Sequence, residues 1–225
     1  MDKIPKKPDF SSHITKIANF FGRASGSGFL FCSCNLRAIA REINRQVAKR
    51  TGQTGMRIGE TDILSCHSGG FLTEIRDATR ERPDGLIISN LDQLIRQTRG
   101  KIVTEMNMAR ELLTDLGVPM VFWLSEKNIP LFANQAPDLF LRRDRSVLRF
   151  SDKRLEKFHT DDEAPGDYGH LKLKTGLLEK QLEAAEKNGD QARHITADLI
   201  SLYLKAGLYE PADTMFEAYR SLSEI

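Results

Sequence analysis

The chain lacks any apolar run approaching the roughly 20 residues of a membrane-spanning helix. Its first residues, MDKIPKKPDFSSH, lack the apolar core of a secretory signal. Three cysteines in 225 residues are too few for a disulfide framework. Neither charge dominates, because 33 basic residues face 31 acidic ones, so composition does not point to nucleic acid or a membrane surface. We therefore expect a cytoplasmic protein with reduced thiols.

Short apolar runs alternate with longer amphipathic segments. The apolar runs predict five strands, at residues 29–32, 56–64, 86–89, 118–124 and 147–150. Helices are predicted at residues 14–21, 36–49, 71–80, 102–116 and 128–141. The last of these is expected to break around Ala136 and Pro137. Strands that alternate with helices form βαβ units, so the predicted fold class is α/β with a five-stranded, mostly parallel sheet.

Composition divides the chain into four segments. They are a flexible leader at 1–12, an α/β domain at 13–152, a linker at 153–169 and a helical tail at 170–225. The linker contains HTDDEAPGDYG, which is acidic and carries proline and glycine. The tail predicts helices at residues 171–187, 192–205 and 210–222.

The end of the tail, ADLISLYLKAGLYEPADTMFEAYRSL, resembles a tetratricopeptide repeat, a helix–turn–helix unit of 34 residues. The signature positions are filled by Leu199, Tyr203, Gly207, Tyr209, Ala212 and Phe216. Thr196 stands at the tryptophan position, and the closing proline is absent. A generic helical hairpin is the alternative. Because a solenoid needs about three repeats, a single one must pack on the α/β domain or on a partner.

The α/β domain resembles a P-loop NTPase. The pattern is similar to that of the signal-transduction ATPases of the STAND type. A strand and a helix are followed by LIISNLDQL, and the segments MNMARELLTDLGVPMVFWLSE and NQAPDLFLRRDRSVLRF carry the same resemblance. In those bacterial regulatory proteins, repeat arrays often follow the ATPase domain. The resemblance implies a P-loop-like fold with its nucleotide corner between the first strand and the following helix.

That corner departs from the family at its chemical positions. The turn CSCNLR contains neither the glycines nor the lysine of GxxxxGK[ST], which hold phosphates and neutralise their charge. In the second motif, Ser89 replaces the carboxylate that supports Mg²⁺, Gln93 replaces the glutamate that activates water, and Asp92 is retained. We therefore predict a degenerate domain without ATP hydrolysis and without a bound cofactor.

The predicted function is a non-catalytic scaffold in which a pseudo-NTPase domain presents the tail to a protein partner, in a bacterial signalling or defence setting that the resemblance implies. The candidate partner-binding residues are Tyr203, Tyr209, Phe216 and Tyr219, as exposed side chains of the tail. The first alternative is a nucleotide-responsive switch or residual ATPase that uses Asn35, Arg37 and Asp92, since a helix N-terminus attracts anions.

Two further groups of residues have both a chemical and a simpler interpretation. Cys32, Cys34 and Cys66, with His67, are candidates for a metal or thiol site, but their spacing is poor for zinc, and thiols buried under helices are the favoured interpretation. Basic clusters lie at Arg142, Arg143, Arg145 and Arg149, and at Arg96, Arg99 and Lys101. They predict solvated or internally paired side chains, with an acidic partner or nucleic acid as alternatives.

Overall fold

A computed structural model describes residues 6–23, 26–65, 70–144, 146–158, 168–185 and 189–223. The chain forms two compact units that interleave along the sequence. The sheet unit comprises Asp9–Asn35 and Ile43–Phe150, and the helical unit comprises Met1–Pro8, Leu36–Glu42 and Ser151–Ile225. The domain boundaries that composition indicated stay a prediction.

The sheet unit contains five parallel strands. They are β1 (Phe29–Cys34), β2 (Ile58–Asp62), β3 (Gly85–Ser89), β4 (Met120–Leu124) and β5 (Leu148–Phe150). Their order across the sheet is β2-β3-β4-β1-β5, with every neighbouring pair parallel. Every residue of β1 and β4 is buried, as expected for strands covered on both faces. The predicted α/β class with a five-stranded parallel sheet is confirmed.

Eight helices accompany the strands in the described part of this region. They are α1 (Ser11–Arg23), α2 (Arg37–Gly52), α3 (Gly70–Thr79), α4 (Leu91–Gln97), α5 (Lys101–Met108), α6 (Arg110–Asp115), α7 (Ile129–Gln135) and α8 (Pro137–Leu141). The expected break before Pro137 is confirmed. The single helix predicted at 102–116 is wrong, because the chain leaves helical geometry at Ala109 and forms α5 and α6. The start of α2, up to Glu42, is grouped with the helical unit.

The two faces of the sheet have different cores. On one face, the Phe31 ring lies 5.3 Å from Phe122 of β4, 5.5 Å from Phe132 of α7 and 5.2 Å from Phe140 of α8, measured between ring centroids. On the other face, Trp123 donates from Nε1 to Oδ1 of Asn44 in α2 at 2.8 Å. Side chains alternate along β4, so α7 and α8 cover one face while α2 covers the other.

The helical unit is formed mainly by α10 (Tyr168–Ala184), α11 (Asp190–Ala206) and α12 (Tyr209–Ser221), with the short α9 (Lys153–Glu156) before them. α10 packs on α11, and α11 packs on α12. Gly207 turns the chain between α11 and α12 at a φ of 75°, which only glycine adopts without strain. The helices predicted for the tail are confirmed. Within the described ranges, no helix is long and apolar enough to cross a bilayer.

Candidate functional site

The carboxyl ends of β1 and β4 mark the position where an open α/β sheet binds ligands. β1 continues into α2 on one face of the sheet, and β4 continues towards α7 on the other face. The two connections therefore diverge from adjacent strands, which creates a crevice outside the strand ends in folds of this kind. Sequence reasoning selected residues that follow β1 and β3, namely Asn35, Arg37 and Asp92, but none that follows β4.

Asn35, directly after β1, joins the two walls of this crevice. Its side-chain oxygen Oδ1 accepts a hydrogen bond from the backbone N–H of Glu126 at 3.1 Å, and Glu126 follows β4. The sequence proposed Asn35 as an anion ligand at the start of α2. In the structure, its amide oxygen instead ties the end of β1 to the loop after β4.

Asp92, in the first turn of α4, holds the same loop. Its carboxylate accepts the backbone N–H of Ser125 at 2.8 and 2.9 Å, the Ser125 hydroxyl at 2.9 Å and the Asn128 Nδ2 at 2.5 Å. Hydrogen bonds to an ionised acceptor are stronger than neutral ones, and Ser125 is buried. Asp92 thus links α4 to the end of β4, and both of its carboxylate oxygens accept hydrogen bonds from other residues of the protein.

We predict that Asp92→Ala lowers the free energy of unfolding by about 2 kcal/mol, because the buried Ser125 donors lose a charged acceptor. Asp92→Asn should cost less, since its remaining oxygen still accepts from Ser125. Urea unfolding followed by circular dichroism measures both changes. A wild-type midpoint for Asp92→Ala would show that the loop does not depend on this carboxylate.

The ends of β2 and β3 are joined by a chain of polar side chains. Glu60 accepts at Oε1 from Ser89 and from Asn44, each at 2.9 Å, and Asn44 in turn accepts from Trp123. Next to it, Asn90 donates to Asp62 at 2.6 Å. Asn90 has a φ of 64°, a left-handed conformation that asparagine tolerates better than most residues. Ser89, which the resemblance to P-loop NTPases placed at the Mg²⁺-carboxylate position, thus donates its hydroxyl hydrogen to Glu60 of β2.

The proposed nucleotide residues are therefore divided. Asn35 and Asp92 belong to the sheet unit and hold the same loop, at Glu126 and Ser125 respectively. Arg37 is the first residue of α2, is half-buried and falls in the helical unit. The use of these residues by a nucleotide stays a prediction.

Cys32 and Cys34, the two cysteines among the described residues, do not resemble a reactive site. Cys32 and Cys34 lie two residues apart in β1, so they share a face, and both are buried. Burial, with a smaller contribution from Cys34, raises the pKa of the Cys32 thiol well above its usual value, which disfavours the thiolate. Cys66 and His67 lie outside the described residues. Among the residues that are described, no three acidic, histidine or cysteine side chains form a metal-binding group.

Three arginines of the first basic cluster contact other groups of the protein, and the fourth, Arg145, lies outside the described residues. Arg142 contacts Glu111 through two hydrogen bonds of 2.7 and 3.1 Å. Arg143 donates a hydrogen bond to the backbone carbonyl of Phe140 at 2.6 Å. The Arg143 guanidinium also lies 4.2 Å from the centroid of the Phe140 ring. Arg149 lies 3.9 Å from Glu126. These contacts favour the internally paired interpretation over a nucleic-acid surface for this cluster.

The proposed partner-binding aromatics need a correction. Three of the four are buried inside the helical unit, namely Tyr203, Tyr209 and Phe216. The Tyr203 hydroxyl donates to Glu179 of α10, and burial together with this carboxylate raises the pKa of Tyr203 to about 12. Tyr219 is half-buried, with its ring 5.4 Å from that of Phe158. Tyr203, Tyr209 and Phe216 are therefore core residues of the helical unit and not exposed contacts for a partner.

A buried ionic cluster in the helical unit was missed by sequence reasoning. Arg154 donates from Nη2 to Asp152 at 2.7 Å and to Asp213 at 2.8 Å. Burial opposes the charge of Arg154, but the two carboxylates outweigh it and raise the pKa of the guanidinium. Tyr209 donates to Asp152 at 3.0 Å, and Lys7 contacts Asp213 at 2.5 Å. These residues are spread along the sequence from Lys7 to Asp213, so no local pattern indicates that they meet.

No protein-family profile matches the chain, and no curated protein matches it. Among solved structures, it is similar to domain III of the replication initiation protein DnaA from Thermotoga maritima, with 16% identity over 98% of this chain and 93% of that one, at a TM-score of 0.44. It is also similar to the Aeropyrum pernix ORC2 protein in its ADPNP-ADP and ADP forms. Those two matches have 9% and 10% identity, cover 99% of this chain and 70% of that one, and reach TM-scores of 0.46 and 0.45. At these identities the likeness concerns the fold alone.

Proposed function

We propose that the protein is a non-catalytic interaction module, in which a degenerate P-loop-like α/β unit accompanies a helical tail that binds a protein. The observation that carries this proposal is that the polar side chains of the crevice form hydrogen bonds with the protein itself. Asn35 and Asp92 both hold the loop after β4, and the Asn35–Glu126 bond bridges the two strand ends where a ligand would enter.

The chemistry of the corner supports the same conclusion. Phosphoryl transfer depends on positioning and on neutralising phosphate charge, which the family achieves with a glycine-rich cradle, a lysine and a Mg²⁺ carboxylate. The turn CSCNLR contains neither the glycines of the cradle nor the lysine. Ser89, at the carboxylate position, donates a hydrogen bond to Glu60. A regulatory or scaffolding role needs only the architecture of the unit.

The experiment is thermal unfolding of the full chain with and without ATP, ADP or GTP at millimolar concentration with Mg²⁺. A ligand at 100 times its Kd stabilises the folded state by about 2.7 kcal/mol, so saturating binding raises Tm measurably. We expect no change in Tm with any nucleotide.

A saturable rise in Tm would contradict the proposal and favour the nucleotide-responsive switch. Asp92→Asn is the matched variant, because Asp92→Ala is itself expected to lower Tm. A rise that Asp92→Asn abolishes would assign the binding to this crevice, whereas a rise that it leaves unchanged would place the nucleotide elsewhere. ATP hydrolysis above the Asp92→Asn background would likewise remove the non-catalytic role.

A further inference from the structure

Three aromatic rings in the helical unit surround one ammonium group. The Nζ atom of Lys157 lies 4.9 Å from the ring centroid of Phe158, 5.2 Å from that of Phe216 and 5.5 Å from that of Tyr219. A cation within about 6 Å of a ring centroid is attracted by the π electrons of the ring. Because the three distances are similar, the ammonium is shared among the three rings.

The rings stand at steep angles to one another and form an aromatic cage. The plane of Phe158 makes 73° with that of Phe216 and 82° with that of Tyr219, at centroid distances of 6.1 and 5.4 Å. Phe216 and Tyr219 are three residues apart on α12, so they lie on the same side of the helix. Phe158, shortly after α9, completes the cage. Such cages are a known means of recognising quaternary ammonium groups.

Lys157 occupies the cage without the help of a carboxylate. Among the residues that the structure describes, Lys157 forms no ion pair with an acidic side chain, so the rings are what attract its ammonium. Lys157 is exposed, and exposed side chains change rotamer within nanoseconds. Its side chain can therefore turn into solvent while α9 and α12 stay in place. The buried ring of Phe216 can contact another cation only after Lys157 leaves.

A second cation near the cage is neutralised by carboxylates. The guanidinium of Arg154 lies 5.3 Å from the centroid of Phe216. The same guanidinium contacts Asp152 at 2.7 Å, Asp213 at 2.8 Å and Glu217 at 3.4 Å. Its charge is thus balanced locally, and a cation can occupy the cage beside it.

We propose that Phe158, Phe216 and Tyr219 bind a trimethylated lysine side chain of the protein partner, and that Lys157 is an internal ligand which the partner displaces. A trimethylammonium group has an advantage over Lys157, because an unmodified ammonium is strongly hydrated and loses more water in the cage. An unmodified lysine of the partner lacks this advantage and competes with a lysine that is tethered beside the rings. The inference rests on the proposed function, because it names the group that the tail recognises.

The test is a titration of the full chain with Nα-acetyl-Nε-trimethyl-lysine amide, followed by NMR through the methyl signal of the ligand. We expect saturable binding with a Kd of about 1–10 mM. Lys157→Ala should bind about tenfold more tightly, because the internal ligand no longer competes. Lys153→Ala is the matched control, because it removes the same charge from an exposed lysine of α9 and should bind like the wild type.

Two further comparisons distinguish a cage from an ordinary apolar pocket. Tyr219→Leu keeps an apolar side chain but removes a ring, and it should weaken binding at least about threefold in the Lys157→Ala background. The ligand analogue with carbon in place of the charged nitrogen has the same shape, and it should bind about tenfold more weakly. Circular dichroism confirms that each variant remains folded.

Four results would overturn the inference: a Lys157→Ala variant without measurable binding, equal binding of the uncharged analogue, binding that ignores Tyr219→Leu, or tighter binding of choline than of the lysine derivative. The last result would make the ligand a free small molecule. The nucleotide experiment reports on the proposed function separately. A chain that binds neither the lysine derivative nor a nucleotide loses this ligand and keeps the scaffold role, whereas a nucleotide-dependent rise in Tm contradicts the scaffold role and leaves the cage.

Discussion

Arg154→Met is expected to lower the stability of the helical unit by about 3–5 kcal/mol, because it leaves buried carboxylates without their cation. The side chain of Arg154 is 3% exposed, and those of Asp152 and Asp213 are 1% and 11% exposed. Lys7 remains near Asp213 in the variant, but Asp152 keeps only two neutral donors from this cluster, the Tyr209 hydroxyl and the backbone N–H of residue 154. Urea unfolding monitored by circular dichroism measures the loss, and two units can give two transitions.

The matched control is Arg220→Met, since Arg220 is 43% exposed and pairs with Glu217 at 3.7 Å. We expect it to change stability by less than about 0.5 kcal/mol. Combining Arg154→Met with Asp152→Asn and Asp213→Asn should recover much of the loss, because no unpaired charge then stays buried. An Arg154→Met variant as stable as Arg220→Met would mean that the cluster contributes nothing.

Gly85→Ala is expected to cost about 3 kcal/mol, near the upper end of overpacking effects. A Cβ atom at Gly85 would lie 2.2 Å from Cδ1 and 2.4 Å from Cε1 of Phe21, a buried residue of α1. The backbone cannot easily yield, because β3 is paired on both sides, with Gly85 opposite Ile58 of β2. The midpoint of thermal or urea unfolding measures the effect.

Gly59→Ala is the control for Gly85→Ala, because it also introduces a methyl group into a strand of the sheet. Its nearest neighbour would be Cδ1 of Leu86 at 3.3 Å, the end of a flexible side chain. We expect a cost below about 1 kcal/mol for this variant. Phe21→Leu should partly rescue Gly85→Ala, and equal losses in the two glycine variants would contradict the overlap with Phe21.

The sequence indicated most of the sheet because its strands are local and carry a strong signal. Short apolar runs such as MVFWL need no information from elsewhere to be read as buried strands. α4 was missed, since LDQLIRQ is short and polar and begins after a left-handed Asn90. The break at Ala109 was missed because neither glycine nor proline marks it.

The roles of the candidate site residues could not be predicted from the sequence. Asn35 and Asp92 were selected by sequence, but their roles depend on Glu126 and Ser125, which lie 91 and 33 residues away respectively. Arg154 was placed in a linker, although it meets Asp213 in α12. Contacts between distant residues decide whether a polar side chain binds a ligand or holds the fold. The pattern of neighbouring residues in a sequence does not show these contacts.

The contact between Lys7 and Asp213 joins residues separated by 206 positions and has a consequence for the order of folding during synthesis. All segments of the sheet unit precede Ser151, whereas the helical unit combines a segment that ends at Pro8 with residues made after Phe150. During synthesis, the sheet unit can therefore fold before Asp213, the partner of Lys7, has been made. We expect the ionic cluster to close last, once α12 has emerged, because a contact across so long a stretch of chain is slow to form.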